Sequence, residues 1–157
     1  MAQVNNVTRF LDTKKIDYQA FDLPAEKLSA VEAAEILNVS GNLVYKTIVV
    51  IREGKGKPIL ALVPGTREVD PKALAKVVKE KKLRIATQRE AESITGLLVG
   101  GISPLALVNR GFQVVIDESV LDCDEIYISG GQRGLNIRLT PHNLIDLVHA
   151  NVAAICQ

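Results

Sequence analysis

Tryptophan is absent from this chain, and three tyrosines and three phenylalanines are its only aromatic residues. That scarcity argues against a stacking platform for single-stranded nucleic acid, where successive bases each need an aromatic face. Cys123 and Cys156 are too few and too far apart for a disulfide framework or a zinc site, and they fit a reducing compartment. Net charge is almost missing as well: 19 basic against 18 acidic side chains leave +1, so no global field gathers a long nucleic acid. An RNA partner would have to be gripped at an end or delivered by another protein. No apolar run is long enough to cross a bilayer, and polar groups interrupt the first residues, MAQVNNVTRFLDTKK, throughout. Neither a membrane span nor a signal peptide is expected, and the cytoplasm is the expected compartment. Phosphate-cradling GxxxxGK[ST], a GxGxxG opening a helix and the GxSxG nucleophile elbow are all missing. His142 and His149 have no clustered carboxylate or thiol beside them, so neither a metal nor another cofactor is expected.

What remains is 157 residues, 47% of them hydrophobic, which is enough for one domain with a substantial core, expected to span 1–157. Asn5 or Asn6 caps a first helix in which Val4, Val7, Phe10 and Leu11 share a face. A short strand is expected over 16–21. Ser29 and Glu32 form a capping box for a helix whose inward residues are Val31, Ala34, Ile36 and Leu37. The run LVYKTIVVIR over 43–52 and its return over 59–63 read as a hairpin around EGKGK. Asp70-Pro71 caps a helix with a row of lysines on its outer face: Lys72, Lys76, Lys79, Lys81 and Lys82. This row reads either as a solvated face or as a surface for RNA phosphates. A short strand over 83–86 and a helix from Thr87 to Gly96 follow, and strands over 112–116, 126–129 and 135–139 precede a last helix from Thr140-Pro141. Hairpins interleaved with helices exclude a purely parallel sheet and predict an α/β fold: a mixed, partly barrel-closed β-sheet flanked by helices.

The stretch LLVGGISPLALVNRG over 97–111 is the one the chain is arranged to hold. An apolar strand-like run ends in Gly100-Gly101, and Ser103-Pro104 then stiffens the turn. This is either a wall for a small polar ligand or a tight turn between buried strands. A second glycine turn, SGGQRG over 129–134, could form an anion nest or simply close a hairpin. Lys46 is anomalous in its strand because its same-face neighbours Val44 and Ile48 are apolar. Either it snorkels to water at a sheet edge, or its ammonium meets a ligand in a polar pocket.

Taken together, VYKTIVV over 44–50, LLVGGISPLAL over 97–107 and YISGGQRGLNIRL over 127–139, in that order, resemble the YbaK/EbsC family. That family comprises aminoacyl-tRNA editing deacylases, including the free-standing Cys-tRNA(Pro) deacylase and the editing domain inserted in bacterial prolyl-tRNA synthetases. The resemblance covers essentially the whole chain. It implies cleavage in trans of the ester in mischarged tRNA, with Cys-tRNA(Pro) the leading substrate and the substrate's own thiol as nucleophile. An alanine-specific deacylase and a non-catalytic module for an aminoacyl-adenosine end are the alternatives. The implied partners are the 3′ end of mischarged tRNA and, as a docking partner, prolyl-tRNA synthetase; the oligomeric state stays open.

The resemblance also carries site residues. Lys46, Gly101 and Ser103 are the catalytic candidates. Phe21, Gly100, Ile102, Pro104, Gly130, Gly131 and Asn136 are the substrate-binding candidates. It favours the pocket reading of Lys46, since three polar features then converge. No protein nucleophile is apparent, so positioning and oxyanion stabilisation would supply the acceleration. Three positions depart from the family pattern: Asn136 stands where an aspartate is common, Ala106 where a glycine is frequent, and Phe21 where a tyrosine is often found. Asn136 can hydrogen-bond but brings no full negative charge.

Overall fold

The computed structural model describes residues 4–157; the three residues before them, which open the stretch read above for a signal peptide, lie outside the described residues. In chain order the elements are α1 (Asn6–Thr13), β1 (Gln19–Asp22), α2 (Ala30–Leu37), β2 (Tyr45–Arg52), β3 (Ile59–Pro64), α3 (Pro71–Val78), β4 (Leu83–Ile85), α4 (Gln88–Thr95), β5 (Gln113–Asp117), β6 (Ile126–Ser129), β7 (Leu135–Leu139), α5 (Pro141–Val148) and β8 (Asn151–Ala153). The helix starts follow from local chemistry. Asn5, Ser29 and Thr87 each accept a backbone amide three residues on, and Thr8, Glu32 and Glu90 return the bond to complete capping boxes. Asp70 and Thr140 cap helices that begin with proline, a residue whose missing N–H costs nothing at that position.

The strands form two open sheets, ordered β1-β7-β6 and β4-β2-β3-β5-β8. The smaller is antiparallel throughout, whereas the larger joins the antiparallel β4-β2-β3 to the parallel pairs β3-β5 and β5-β8. The mixed α/β architecture is therefore as expected. The expected barrel closure is not present: the sheets touch through one isolated bridge, Val44 to Tyr127, and β4 and β8 are the outer strands of the larger sheet. Closing a barrel requires a continuous staggered ladder, and β4 and β8 have only three residues each with which to extend one.

The main core lies between the sheets. Tyr45, Val49, Leu60, Leu62 and Ile116 from the larger sheet meet Ile126, Ile128, Leu135, Ile137 and Leu139 from the smaller, with Ile102, Leu105 and Leu107 from the intervening loop. A second cluster, with Val50, Ile59, Ala61, Val63 and Leu74, packs α3 on the opposite face. Burial on this scale stabilises by roughly 1.5–3 kcal/mol per large side chain. Three inward assignments are reversed. Val4, Val31 and Ile36 are 67%, 40% and 50% exposed, and α2 buries Ala34, as expected, together with Ala33, which was not assigned inward. The 97–99 run does not form a strand, and β8 is an element that the apolar pattern did not announce.

Candidate active site: a cleft over an unpaired strand edge

Between two tethers, one edge of β2 is bare. Its start is bridged to β6 through Val44 and Tyr127, and β4 pairs only with Val50, Ile51 and Arg52. The chain then leaves β4 for α4 after Ala86 donates to the Val49 carbonyl at 2.9 Å. The Val49 carbonyl thus faces this side. Backbone groups two residues apart in a strand point the same way, so Thr47 turns its amide and carbonyl to the same side. The Val44 carbonyl accepts from Gly65 on the β3 side, as the alternate register requires.

Over this edge lies a cleft of about 340 Å³. Its floor is 44–49 of β2; its walls include Ala33 of α2, Ile85 to Gln88 at the start of α4, Val99, Gly100 and Ile102 of the central loop, and Ser129, Gly134 and Asn136 of the smaller sheet. The start of α4 is held by Glu90, which takes two bonds from Arg84 at 2.7 and 2.9 Å and one from the Thr87 amide. Those bonds, the Arg84 one foremost, draw the Glu90 carboxyl down to about 2.

Two of the walls form a single clamped unit. The Val99 amide donates to Glu92 at 2.8 Å, and the Val99 carbonyl accepts from Arg133 Nε at 2.9 Å. Gly101 lies so close to the Gln132–Arg133 backbone that a Cβ would stand 2.7 Å from the Gln132 carbonyl carbon. The two glycine turns singled out in the sequence therefore do meet. They meet by packing, however, rather than by presenting open amides.

Four of the ten candidates line the cleft: Lys46, Gly100, Ile102 and Asn136. Asn136 is 8% exposed, and its Oδ1 has no hydrogen-bond partner among the described residues. A buried amide oxygen left unpaired costs about 1–3 kcal/mol, a debt that a ligand donor would cancel. Lys46 borders the cleft, but its ammonium is engaged elsewhere, 3.1 Å from Glu68 Oε1 and 3.5 Å from the Gly65 carbonyl. Lys46 thus stands at the border of the cleft with its ammonium turned to Glu68.

The other six candidates stand outside the lining. The Gly101 amide donates to Leu98 at 2.8 Å and the Gly130 amide to Leu135 at 2.8 Å, so neither donor is available to an oxyanion. Gly131, at φ +92, donates to Ser129 Oγ at 3.3 Å and fits against Val7 and Ala106. Ser103 is fully buried and its hydroxyl caps the turn by accepting from Leu105 at 3.2 Å; Pro104 begins that turn. Both are buried in the turn and lie outside the cleft lining. Phe21 pairs with Asn136 across the strands, yet its ring packs on Tyr127 at 5.6 Å and under Arg138 at 5.3 Å. Sequence reasoning missed Thr47, Ser129 and Gly134 as lining residues. Gly134 was visible as a third glycine in its turn; Thr47 gave no signal, because an edge amide is a property of pairing.

Neither cysteine is among the residues lining the cleft, and Tyr45, which does line it, is a buried phenol. Burial, then the Asp117 carboxylate, pushes the Cys156 thiol up to about 12. Burial likewise raises the Tyr45 phenol, which is bonded to Ser119 at 2.7 Å.

Residues 25–147 match the family model of the aminoacyl-tRNA editing domain. The chain belongs to that family. Among relatives of this editing domain, a protein of Enterococcus faecalis is 30% identical over 155 residues, covering 98% of this chain and 93% of the relative. Its name proposes a Cys-tRNA(Pro)/Cys-tRNA(Cys) deacylase, EbsC. A proline–tRNA ligase of Thermodesulfovibrio yellowstonii is 30% identical over 123 residues, which are 78% of this chain but 20% of the ligase. A crystal structure described as a proposed trans-editing enzyme for prolyl tRNA synthetase superposes with a TM-score of 0.82 at 28% identity, over 99% of each chain. The editing domain described here thus has the YbaK-type fold that its three motifs implied.

Proposed function

We propose that this editing domain is an aminoacyl-tRNA deacylase acting in trans, with Cys-tRNA(Pro) its preferred substrate. The observation that carries the proposal is the cleft itself. It offers a bare backbone edge at Thr47 and an unpartnered Asn136 oxygen in about 340 Å³, with no activated side-chain nucleophile among the residues described. Such a site suits a substrate that brings its own nucleophile and needs only to be held. In that chemistry the cysteinyl sulfur attacks its own carbonyl carbon, the carbon–oxygen bond to the terminal ribose breaks, and the ribose oxygen leaves with a proton. The products are a cyclic thioester and free tRNA. The Thr47 amide, aimed into the cleft, is the donor suited to the developing oxyanion. Lys46, released from Glu68, would hold the negatively charged nucleotide end.

The name of the EbsC relative supports the substrate class, and the ligase relatives support prolyl-tRNA synthetase as the docking partner. Single-turnover assays with cysteine-, serine- and alanine-charged tRNA(Pro) test the reading. The expected order places the cysteinyl ester first. Serine or alanine released at least as fast would remove the thiol-assisted route, and an unchanged ester lifetime for all three would leave a binding module instead.

A further inference from the structure

The positive charge that the chain lacks overall is concentrated in the segment that leads into the cleft wall. Between residues 72 and 84 stand Lys72, Lys76, Lys79, Lys81, Lys82 and Arg84, all exposed, against the single acid Glu80. This segment is net +5 in a chain of net +1, so everything else sums to a negative charge. Glu80 is itself taken by Arg52 at 3.1 Å, and Arg84 is held by Glu90. None of the five lysines forms an ion pair among the described residues. A lone solvated helix face does not account for the arrangement, because the cations continue past α3 onto the outer strand β4. There a second cavity of about 340 Å³ is bordered by Arg52, Lys82 and Arg84, with Glu53 the one acid among its lining residues.

From that point the chain runs directly into the cleft wall, which begins at Ile85. Lys82 is three residues from Ile85, about 10 Å along an extended chain. A nucleic-acid strand in a duplex carries one phosphate per roughly 3.4 Å of axis, so two or three phosphates fall within that span.

We propose that the segment from Lys72 to Arg84, with Lys81 and Lys82 its lysines next along the chain to the cleft wall, binds the phosphates of the RNA whose 3′ end enters it. The inference rests on the reading of the cleft given above, and it supplies what that reading lacks: a means for a nearly neutral protein to hold tRNA. Its test is a binding measurement, independent of turnover. A fluorescent uncharged RNA minihelix ending in CCA is titrated with the full chain, with Lys81→Gln/Lys82→Gln, and with the charge-matched Lys14→Gln/Lys15→Gln just past the end of α1, between 50 and 200 mM salt. Two lost phosphate contacts make the salt dependence shallower, so the first variant should lose roughly tenfold less affinity over that range than the unaltered chain. The α1 variant should follow the unaltered chain. Equal slopes for all three proteins, equal changes in both variants, or no minihelix binding by the unaltered chain would each overturn the proposal. Failure of the deacylase reading appears separately, as intact ester in the single-turnover assay.

Discussion

Gly101→Ala tests whether the site is built by close packing of two turns. A Cβ there would lie 2.7 Å from the Gln132 carbonyl carbon, 2.8 Å from its Cα and 2.8 Å from the Arg133 nitrogen. Carbon contacts settle at about 3.5–4.0 Å, so the turns must part by roughly 1 Å. Every colliding atom is backbone, and no side chain can swing aside to relieve the contact. Gly101 is not among the residues with positive φ, so alanine meets no torsional penalty and the effect is steric alone. Overpacking of this kind costs about 1–3 kcal/mol, which for a chain of this size lowers Tm by roughly 4–8 °C at 2 kcal/mol. A shift of about 1 Å in a cleft wall can cost 100-fold in rate. Thermal unfolding and single-turnover deacylation read the two effects together. Gly96→Ala is the comparison, since nothing lies within 4 Å of that Cβ while φ is +74. It should lose about 1–2 kcal/mol from the left-handed backbone and retain its rate. A Gly101→Ala protein with Tm within about 1 °C and rate within about twofold of the unaltered chain would refute the reasoning.

Three further outcomes are expected. Lys46→Met should slow deacylation about 10- to 100-fold, whereas Glu68→Gln, which breaks an exposed pair worth at most about 1 kcal/mol, should tighten RNA binding without lowering kcat; a fall in kcat for Glu68→Gln would mean that the carboxylate aims the lysine. Asn136→Asp should raise the deacylation rate by giving the substrate ammonium a charged partner, at a stability cost of about 1–3 kcal/mol; an unchanged or lower rate counts against Asn136 as a limiting group. Asp117 is buried, and although burial opposes its ionisation, bonds from Ser119 and the Ile155 amide bring its carboxyl below the ordinary value. Its stabilisation is therefore complete above the unfolded value near pH 3.9 and fades as pH falls through the lower folded value. Denaturant midpoints of Asp117→Asn and the unaltered chain should differ most at neutral pH and converge as the pH falls through the lower folded value, and a gap independent of pH would exclude this account.

The parts legible in sequence were those fixed by neighbours. Capping boxes at Ser29 and Thr87 and the proline starts at Pro71 and Pro141 placed helices within a residue or two, because capping is a local hydrogen bond. The hairpin of β2 and β3 was equally plain from its β-branched runs. What escaped depends on contacts far along the chain. That α2 turns Ala33 inward as well as Ala34, and leaves Val31 and Ile36 exposed, reflects its packing on Tyr127 and Val44, which no periodicity records. The two glycine turns meet, and yet the Gly101, Gly130 and Gly131 amides are occupied: the same residue type serves an open nest and a close approach, and only the partner across the gap distinguishes them. Ser103 looked like a rim hydroxyl for the same reason. Its polar atom is satisfied two residues away, in a turn that the surrounding leucines bury.

An unpaired length of β2 at the bottom of the cleft separates two jobs. On the function proposed above, main-chain groups would grip whatever all amino acids share, whereas Ala33 and Ile102, which line the sides, would meet only what differs between them. A lineage built on this plan can exchange one rejected amino acid for another by resizing those sides, leaving the bond-breaking geometry untouched.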